Sequence, residues 1–162
     1  MKGIILSGGS GSRLYPITKV VTKQLLPIFD KPMIYYPLST LMELKIRDIL
    51  IIVKPGDLSL FKSLLGNGKK LGINISYAIQ KKPRGIAESF IIGKNFIKNS
   101  NVCLILGDNI FHGIPYNKIF NGNKKFSGAK IVLYKVQDPQ RYGVVKFNKI
   151  NKISKIIEKP KN

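Results

Sequence analysis

The stretch Lys2-Gly3-Ile4-Ile5-Leu6-Ser7-Gly8-Gly9-Ser10-Gly11-Ser12-Arg13 decides the architecture. A short, nearly continuous apolar run bounded by turn residues reads as a strand buried on both faces. It ends on Gly8, Gly9 and Gly11. Glycine permits backbone angles that other residues resist, so successive amides of such a loop can turn toward one anion. With no side chains in the way, a phosphate can approach the main chain. Arg13 then offers a planar fork of donors matched to phosphate oxygens. Spacing excludes two other phosphate loops. The pattern G-x-G-x-x-G fails because Leu14 stands at its last position counted from Gly9, and G-x-x-x-x-G-K-[ST] has no match at this loop. A flexible surface turn of the same composition is the competing reading, and residues beyond the loop decide between the two.

Working outward, apolar runs alternate with amphipathic stretches. Residues 33–44 carry Leu38, Leu41 and Met42 at helical spacing, with Pro37 in an early turn or at a kink. Residues 48–53 read as a second buried strand, 57–65 as a helix with Asp57 near its start, and 74–79 as a third strand. A helix over 86–97 is opened by Gly85, and a fourth strand over 102–106 ends at Gly107-Asp108-Asn109. A short helix is expected at 116–120, and further strands at 129–136, 142–147 and 153–157. The repeated β–α–β order predicts an α/β fold, a Rossmann-like, mostly parallel sheet flanked by helices on both faces. The last strands have no helices between them, which predicts a mixed or antiparallel extension. No linker or internal repeat divides the chain, so residues 1–162 are expected to form one domain.

The 162 residues are 44% hydrophobic and 22% charged, an ordinary globular balance. No apolar run approaches the roughly 20 residues needed to cross a bilayer. The apolar residues after Met1 are too few for a signal-peptide core and lead into glycines, so a cytoplasmic protein with no membrane partner is expected. The formal net charge of +20 invites a nucleic-acid reading. Yet 24 of the 28 basic residues are Lys, scattered in runs no longer than two. Nucleic-acid readers favour clustered Arg interleaved with aromatics. Lys, Ile and Asn share A/T-rich codons, so genome bias accounts for the charge and no nucleic-acid partner is expected. Cys103, the single cysteine, lies in an apolar run and reads as a buried structural thiol.

Beyond the loop the chain continues Leu14-Tyr15-Pro16-Ile17-Thr18 and then Lys23-Gln24-Leu25-Leu26-Pro27. Together these resemble the sugar nucleotidylyltransferase family, whose signature is G-G-x-G-[ST]-R-L-x-P-x-T followed by K-x-x-x-P. Matching stretches recur at Asp30-Lys31-Pro32-Met33-Ile34-Tyr35-Tyr36-Pro37-Leu38-Ser39, Gly107-Asp108-Asn109-Ile110-Phe111, Asp138-Pro139-Gln140-Arg141-Tyr142-Gly143-Val144-Val145 and Glu158-Lys159-Pro160-Lys161. The resemblance therefore spans the whole chain. It implies the nucleotide-diphospho-sugar transferase type of fold, of which residues 1–162 would form the N-terminal portion.

The reaction the resemblance implies joins dTTP and glucose 1-phosphate to give dTDP-glucose and pyrophosphate with Mg²⁺, as in nucleotide-sugar synthesis toward dTDP-rhamnose and surface polysaccharide. Such chemistry needs anion neutralisation and positioning more than a protein nucleophile. By resemblance, Arg13 and Lys23 are catalytic and neutralise phosphate charge. The nucleotide would be bound by Leu6, Gly8, Gly9, Ser10, Gly11, Ser12, Arg13, Lys23, Gln24, Gln80 and Gly85, with the Gln80 amide and the Gly85 backbone reading the base. Asp108 would ligate Mg²⁺, at the carboxyl edge where open α/β sheets bind ligands. Asn109, Gly143, Glu158 and Lys159 would hold the sugar phosphate.

The sequence departs from the family pattern at Lys82 and Arg84, where small and acidic residues are usual, at Glu88, where Gln is common, and at His112, where an aromatic is usual and no role is expected. Full-length relatives continue past the position of Asn162. The chain is thus expected to lack a second metal carboxylate, some sugar contacts and the helices through which relatives form homo-oligomers. Two alternatives remain at this stage: a truncated nucleotide-binding remnant without turnover, and a relative using another base or sugar phosphate.

Overall fold

Four apolar runs pair side by side into a parallel sheet: β1 (Lys2–Ser7), β4 (Asp48–Val53), β5 (Asn74–Ile79) and β6 (Val102–Leu106), in the order β5-β4-β1-β6. The computed structural model describes residues 1–9, 11–113, 128–150 and 152–160. These belong to two units, Met1–Asn123 and Lys124–Asn162. The helix expected over 116–120 lies outside the described residues.

Alternation along the strands explains why they are apolar almost throughout. Ile5, Ile49, Ile51 and Val53 face one side of the sheet, where Ile34, Leu38 and Leu41 from the region of α1 (Tyr35–Glu43) and Phe61 and Leu65 of α2 (Leu58–Leu65) cover them. Ile4, Leu50 and Ile52 face the other side, beneath Ile92, Phe96 and Ile97 of α3 (Glu88–Ile92) and α4 (Lys94–Ile97). The central strands β1 and β4 are buried on both faces, so nearly every position favours an apolar side chain, whereas the edge strand β5 leaves Asn74, Ser76 and Ile79 exposed. Glycine at position 3 lets α1 approach closely: a Cβ there would lie 2.8 Å from Leu41 Cδ1. Pro37 occupies the first turn of α1, where its missing N–H leaves no intrahelical bond unmade.

The helix expected over 86–97 is divided at Gly93 into α3 and α4. A Cβ on Gly93 would fall 3.1 Å from Ile4 Cδ1 and 3.2 Å from Leu50 Cδ2, so the break sits where the backbone closes on the sheet. A small hairpin of β2 (Pro27–Ile28) and β3 (Lys31–Pro32) was not foreseen. Its turn places Phe29 at φ 59° with 97% of the residue exposed.

In the second unit, β7 (Gly143–Phe147) and β8 (Ile153–Glu158) pair antiparallel as a two-stranded sheet, where the sequence predicts a mixed or antiparallel extension. The strand expected over 129–136 is absent. That run joins no ladder among the described residues, and Ile131, Val132 and Leu133 are about half exposed. A β-branched composition favours a strand only where a partner supplies hydrogen bonds and a packed face. Among the described residues, no helix is long and apolar enough to cross a membrane.

Candidate functional site at the carboxyl edge of the sheet

Parallel strands end on the same side, so the residues that follow β1, β5 and β6 meet at one edge. Gln80 follows β5, Gly8 follows β1, and Asp108 stands two residues beyond β6. β4 lies between β5 and β1, and its last residue receives the Gln80 backbone N–H at Val53 O, 2.8 Å away. Gln80 crosses above this strand end to reach the glycine loop: a Cβ on Gly8 would fall 2.2 Å from Gln80 Oε1. Any residue larger than glycine at position 8 would displace the amide.

The loop is shaped by Gly11, whose φ of +65° lies in the left-handed region that favours glycine. The Gly11 carbonyl accepts the Leu14 N–H and the Thr18 hydroxyl, each at 2.9 Å. A Cβ on Gly11 would clash with Thr18 Cγ2 at 2.9 Å and lie 3.5 Å from Lys23 Cβ. These contacts fold the segment after the loop back beside it. The short 3-10 turn Ser12–Leu14 leaves Ser12 and Arg13 exposed, with the Arg13 guanidinium open to a ligand. Ser10 lies outside the described residues.

A later 3-10 turn, Lys23–Leu25, carries Lys23 to the end of β6. Its Nζ donates to Asp108 Oδ2 at 3.1 Å, with the two side chains 32% and 35% exposed. This pair, 85 positions apart in sequence, puts an ammonium and a carboxylate next to the loop. Gln24 is buried, and its amide oxygen accepts the Thr22 hydroxyl at 3.1 Å. Leu6 is half-buried against the Ile4 cluster. Asn109 is half-buried, its N–H bound to Leu106 O.

Segment 81–88 returns to Gln80. Glu88 Oε2 accepts Gln80 Nε2 at 2.7 Å and the Arg84 N–H at 3.2 Å. Gly85 lies within this turn at φ +97°, with open space where a Cβ would stand. His112 is exposed. Cys103 is a free, half-buried thiol inside β6, and burial raises its pKa, as suits a packing residue.

Within the second unit, Gly143 and Glu158 are register partners of the β7–β8 ladder. A Cβ on Gly143 would lie 3.2 Å from Glu158 Oε2. Lys159 pairs weakly with Glu158 at 3.9 Å, both side chains being well exposed. The Lys159 N–H donates to Tyr142 O, which brings these three residues together.

Sequence reasoning passed over Thr18 and Thr22 as shaping residues. Thr18 had a visible signal, its fixed place after the loop. Thr22 had none, because its role depends on the buried amide of Gln24.

The family model described as "Nucleotidyl transferase" matches residues 2–162. A glucose-1-phosphate thymidylyltransferase of Neisseria meningitidis serogroup A is 56% identical over 161 residues, which are 99% of this chain and 56% of the relative. One from Xanthomonas campestris pv. campestris is 54% identical over 98% of this chain and 54% of its own length. The chain thus spans about half the length of the curated relatives it matches. A crystal structure of a Bacillus anthracis protein assigned as a glucose-1-phosphate thymidylyltransferase, in complex with sucrose, superposes with a TM-score of 0.90 at 44% identity, covering 100% of this chain and 65% of that one. A UDP-glucose pyrophosphorylase complexed with UDP-glucose shares the fold, with a TM-score of 0.73 at 23% identity over 98% of this chain and 69% of that one.

Proposed function

This chain belongs to the nucleotidyl transferase family, and from that premise we propose that it binds dTTP at the glycine loop and transfers its thymidylyl group to glucose 1-phosphate, in nucleotide-sugar synthesis. The observation that carries the reading is the convergence, at one sheet edge, of the loop, Gln80 and the Lys23–Asp108 pair. The names of the relatives support the substrates.

In this reading the loop amides and Arg13 hold the triphosphate, and Gln80 and the Gly85 backbone meet the base. A phosphate oxygen of the sugar phosphate attacks the α-phosphorus in line, and pyrophosphate leaves. Lys23 and Arg13 neutralise charge as it builds, a role whose removal in a desolvated site raises the barrier by roughly 3 kcal/mol. In the second unit, Glu158 would accept sugar hydroxyls and Lys159 would hold the sugar phosphate.

The residues present fit a Mg²⁺ ion held mainly by substrate. Mg²⁺ takes one or two protein carboxylates together with phosphate oxygens and water. Asp108 offers one carboxylate, and among the described residues no group of three or more His, Cys, Asp or Glu gathers into a cage. When bound, the ion would neutralise phosphate charge.

The test is pyrophosphate release from dTTP with glucose 1-phosphate and Mg²⁺. Arg13→Ala is expected to abolish release, and near-wild-type turnover would refute the phosphate role. Asp108→Asn is expected to remove most of the Mg²⁺-dependent rate, and an unchanged metal titration would overturn its assignment. Nucleotide binding without release in the wild-type chain would point to a binding domain without turnover.

A further inference from the structure

Lys81, Lys82 and Arg84 follow Gln80 in the turn that leads to α3, and all three are exposed. Main-chain contacts fix their place beside the glycine loop. Gln80 Oε1 lies against Gly8, 2.2 Å from where a Cβ would stand, and Lys81 is the next residue along the chain. The Arg84 N–H donates to Glu88 Oε2 at 3.2 Å, and the same oxygen accepts Gln80 Nε2 at 2.7 Å. Two hydrogen bonds therefore join the Arg84 backbone to the amide that lies on the loop. The turn is tied down by its backbone, and its charged side chains are left free.

Among the described residues, none of these three side chains pairs with a carboxylate. The carboxylates at this edge are already engaged. Asp108 faces Lys23 at 3.1 Å, and Asp57, beyond the end of β4, faces Lys54 at 3.6 Å. Glu88 accepts the two N–H groups and has no cationic partner among the described residues. Arg13, Lys81, Lys82 and Arg84 are thus unpaired cations around one uncompensated carboxylate. Lys82 and Arg84 are also departures from the family pattern, which has small and acidic residues there. Water screens exposed charges, so as contacts they contribute little. Their field still acts on a ligand that has not yet arrived. The Arg84 backbone lies within a Debye length of the Gln80 amide, roughly 8 Å at physiological ionic strength, and a triphosphate carries several negative charges for that field to pull on.

We propose that Lys81, Lys82 and Arg84 form a cationic flank that captures polyanionic nucleotide from solution and guides it to the glycine loop, without gripping it once bound. The proposal rests on the reading of the loop as a triphosphate site and adds a second surface with its own kinetic signature. Charges at the rim of a site act on association and its salt dependence, and leave dissociation nearly unchanged. A residue that grips the bound phosphates, as Arg13 does in this reading, acts on dissociation.

The test is stopped-flow binding of mant-labelled dTTP to the 162-residue chain at low and high salt. Lys82→Ser/Arg84→Ser is expected to lower the association rate constant by about fivefold to tenfold at low ionic strength and by less than about twofold near 0.5 M salt, with dissociation within about twofold of wild type. Lys69→Ser/Lys70→Ser removes the same charge from the exposed turn Lys69–Leu71, which precedes β5 and so lies a strand length from Gln80. This control should associate at close to the wild-type rate. Equal slowing in both variants would assign the effect to net charge and overturn the flank. Faster dissociation with unchanged association in Lys82→Ser/Arg84→Ser would make these residues contacts and overturn steering. If that variant associates at the wild-type rate while Arg13→Ala speeds dissociation, the flank falls and the loop reading stands. If the wild type binds no labelled dTTP, both fall. Should the double variant fail to fold, Arg84→Ser alone is expected to slow association about threefold at low salt, and a wild-type rate there overturns the proposal.

Discussion

Gly107 joins β6 to Asp108, and its N–H donates to Leu6 O at 2.9 Å. A Cβ built on it would stand 2.2 Å from Ser7 Oγ, 3.0 Å from Gln24 Cγ and 3.3 Å from Leu6 O. The first distance is far inside van der Waals contact, and none of the three neighbours has room to retreat. Ser7 is fully buried, Gln24 is held by the Thr22 hydroxyl, and Leu6 O is main chain. Gly107→Ala must therefore push Ser7 aside or part β1 from β6. Overpacking of this kind costs typically about 1–3 kcal/mol, and the rigid surroundings place the expectation at about 2–3 kcal/mol. The nature of the clash supplies its own control. Ser7 Oγ has no hydrogen-bond partner among the described residues. Ser7→Ala removes a hydroxyl whose uncompensated burial costs about 1 kcal/mol or more and leaves a void worth a similar amount, so alone it should be nearly neutral. The double variant should recover about half or more of the loss, a coupling of about 1–2 kcal/mol between touching residues. Urea unfolding of the four proteins, followed by circular dichroism and extrapolated linearly, measures the cycle. A Gly107→Ala stability within about 0.5 kcal/mol of wild type refutes the geometry. A loss that Ser7→Ala leaves undiminished refutes the assignment of the clash to Oγ.

Tyr77 Oη donates to Gly66 O at 2.7 Å, with Phe61 O 3.3 Å away, tying β5 to the end of α2. Burial pushes its phenol up to about 12 from 10.0. The folded state holds the phenol proton more tightly, so this contribution is present below pH 10 and is lost as pH rises through about 12. Tyr77→Phe should cost about 1 kcal/mol at neutral pH and remove that part of the alkaline decline in urea stability; an unchanged decline would count against it. Lys23→Ala should alter stability by less than about 1 kcal/mol, because a partly exposed ion pair is screened by water and salt. The same variant should weaken tripolyphosphate binding severalfold, and a large loss of stability with unchanged binding would reverse the assignment of Lys23 from ligand contact to structural contact.

Much of the fold was legible in order along the chain. Strands over residues 48–53 and 102–106 appeared at their expected places because packing between two layers leaves an apolar run, and 74–79 did so as an edge strand with apolar Ile75, Tyr77 and Ile79 in alternation. The helix over 86–97 was seen but its break was not, since Gly93 divides α3 from α4 where it meets Ile4 and Leu50, residues distant in sequence. The hairpin at residues 27–32 was missed because Phe29, an aromatic at positive φ, carries none of the usual turn chemistry. Residues 129–136 had strand composition without a paired neighbour among the described residues. At the site, the loop, Lys23, Gln80 and Asp108 were all marked by the sequence. Glu88 was visible only as a departure from the family pattern.

Alone, the sequence determined which segments must be buried, that the order β–α–β makes the sheet parallel, and that the glycines after β1 form a loop. These are local properties: the period of apolar residues and the conformational freedom of glycine. The tertiary structure decided what that loop faces. Only the strand order β5-β4-β1-β6 brings Gln80 over Gly8 and Lys23 onto Asp108. Only the return of segment 81–88 turns the Gln80 amide. Such contacts join residues tens of positions apart, and composition and periodicity carry no record of which distant partner a buried polar group will find.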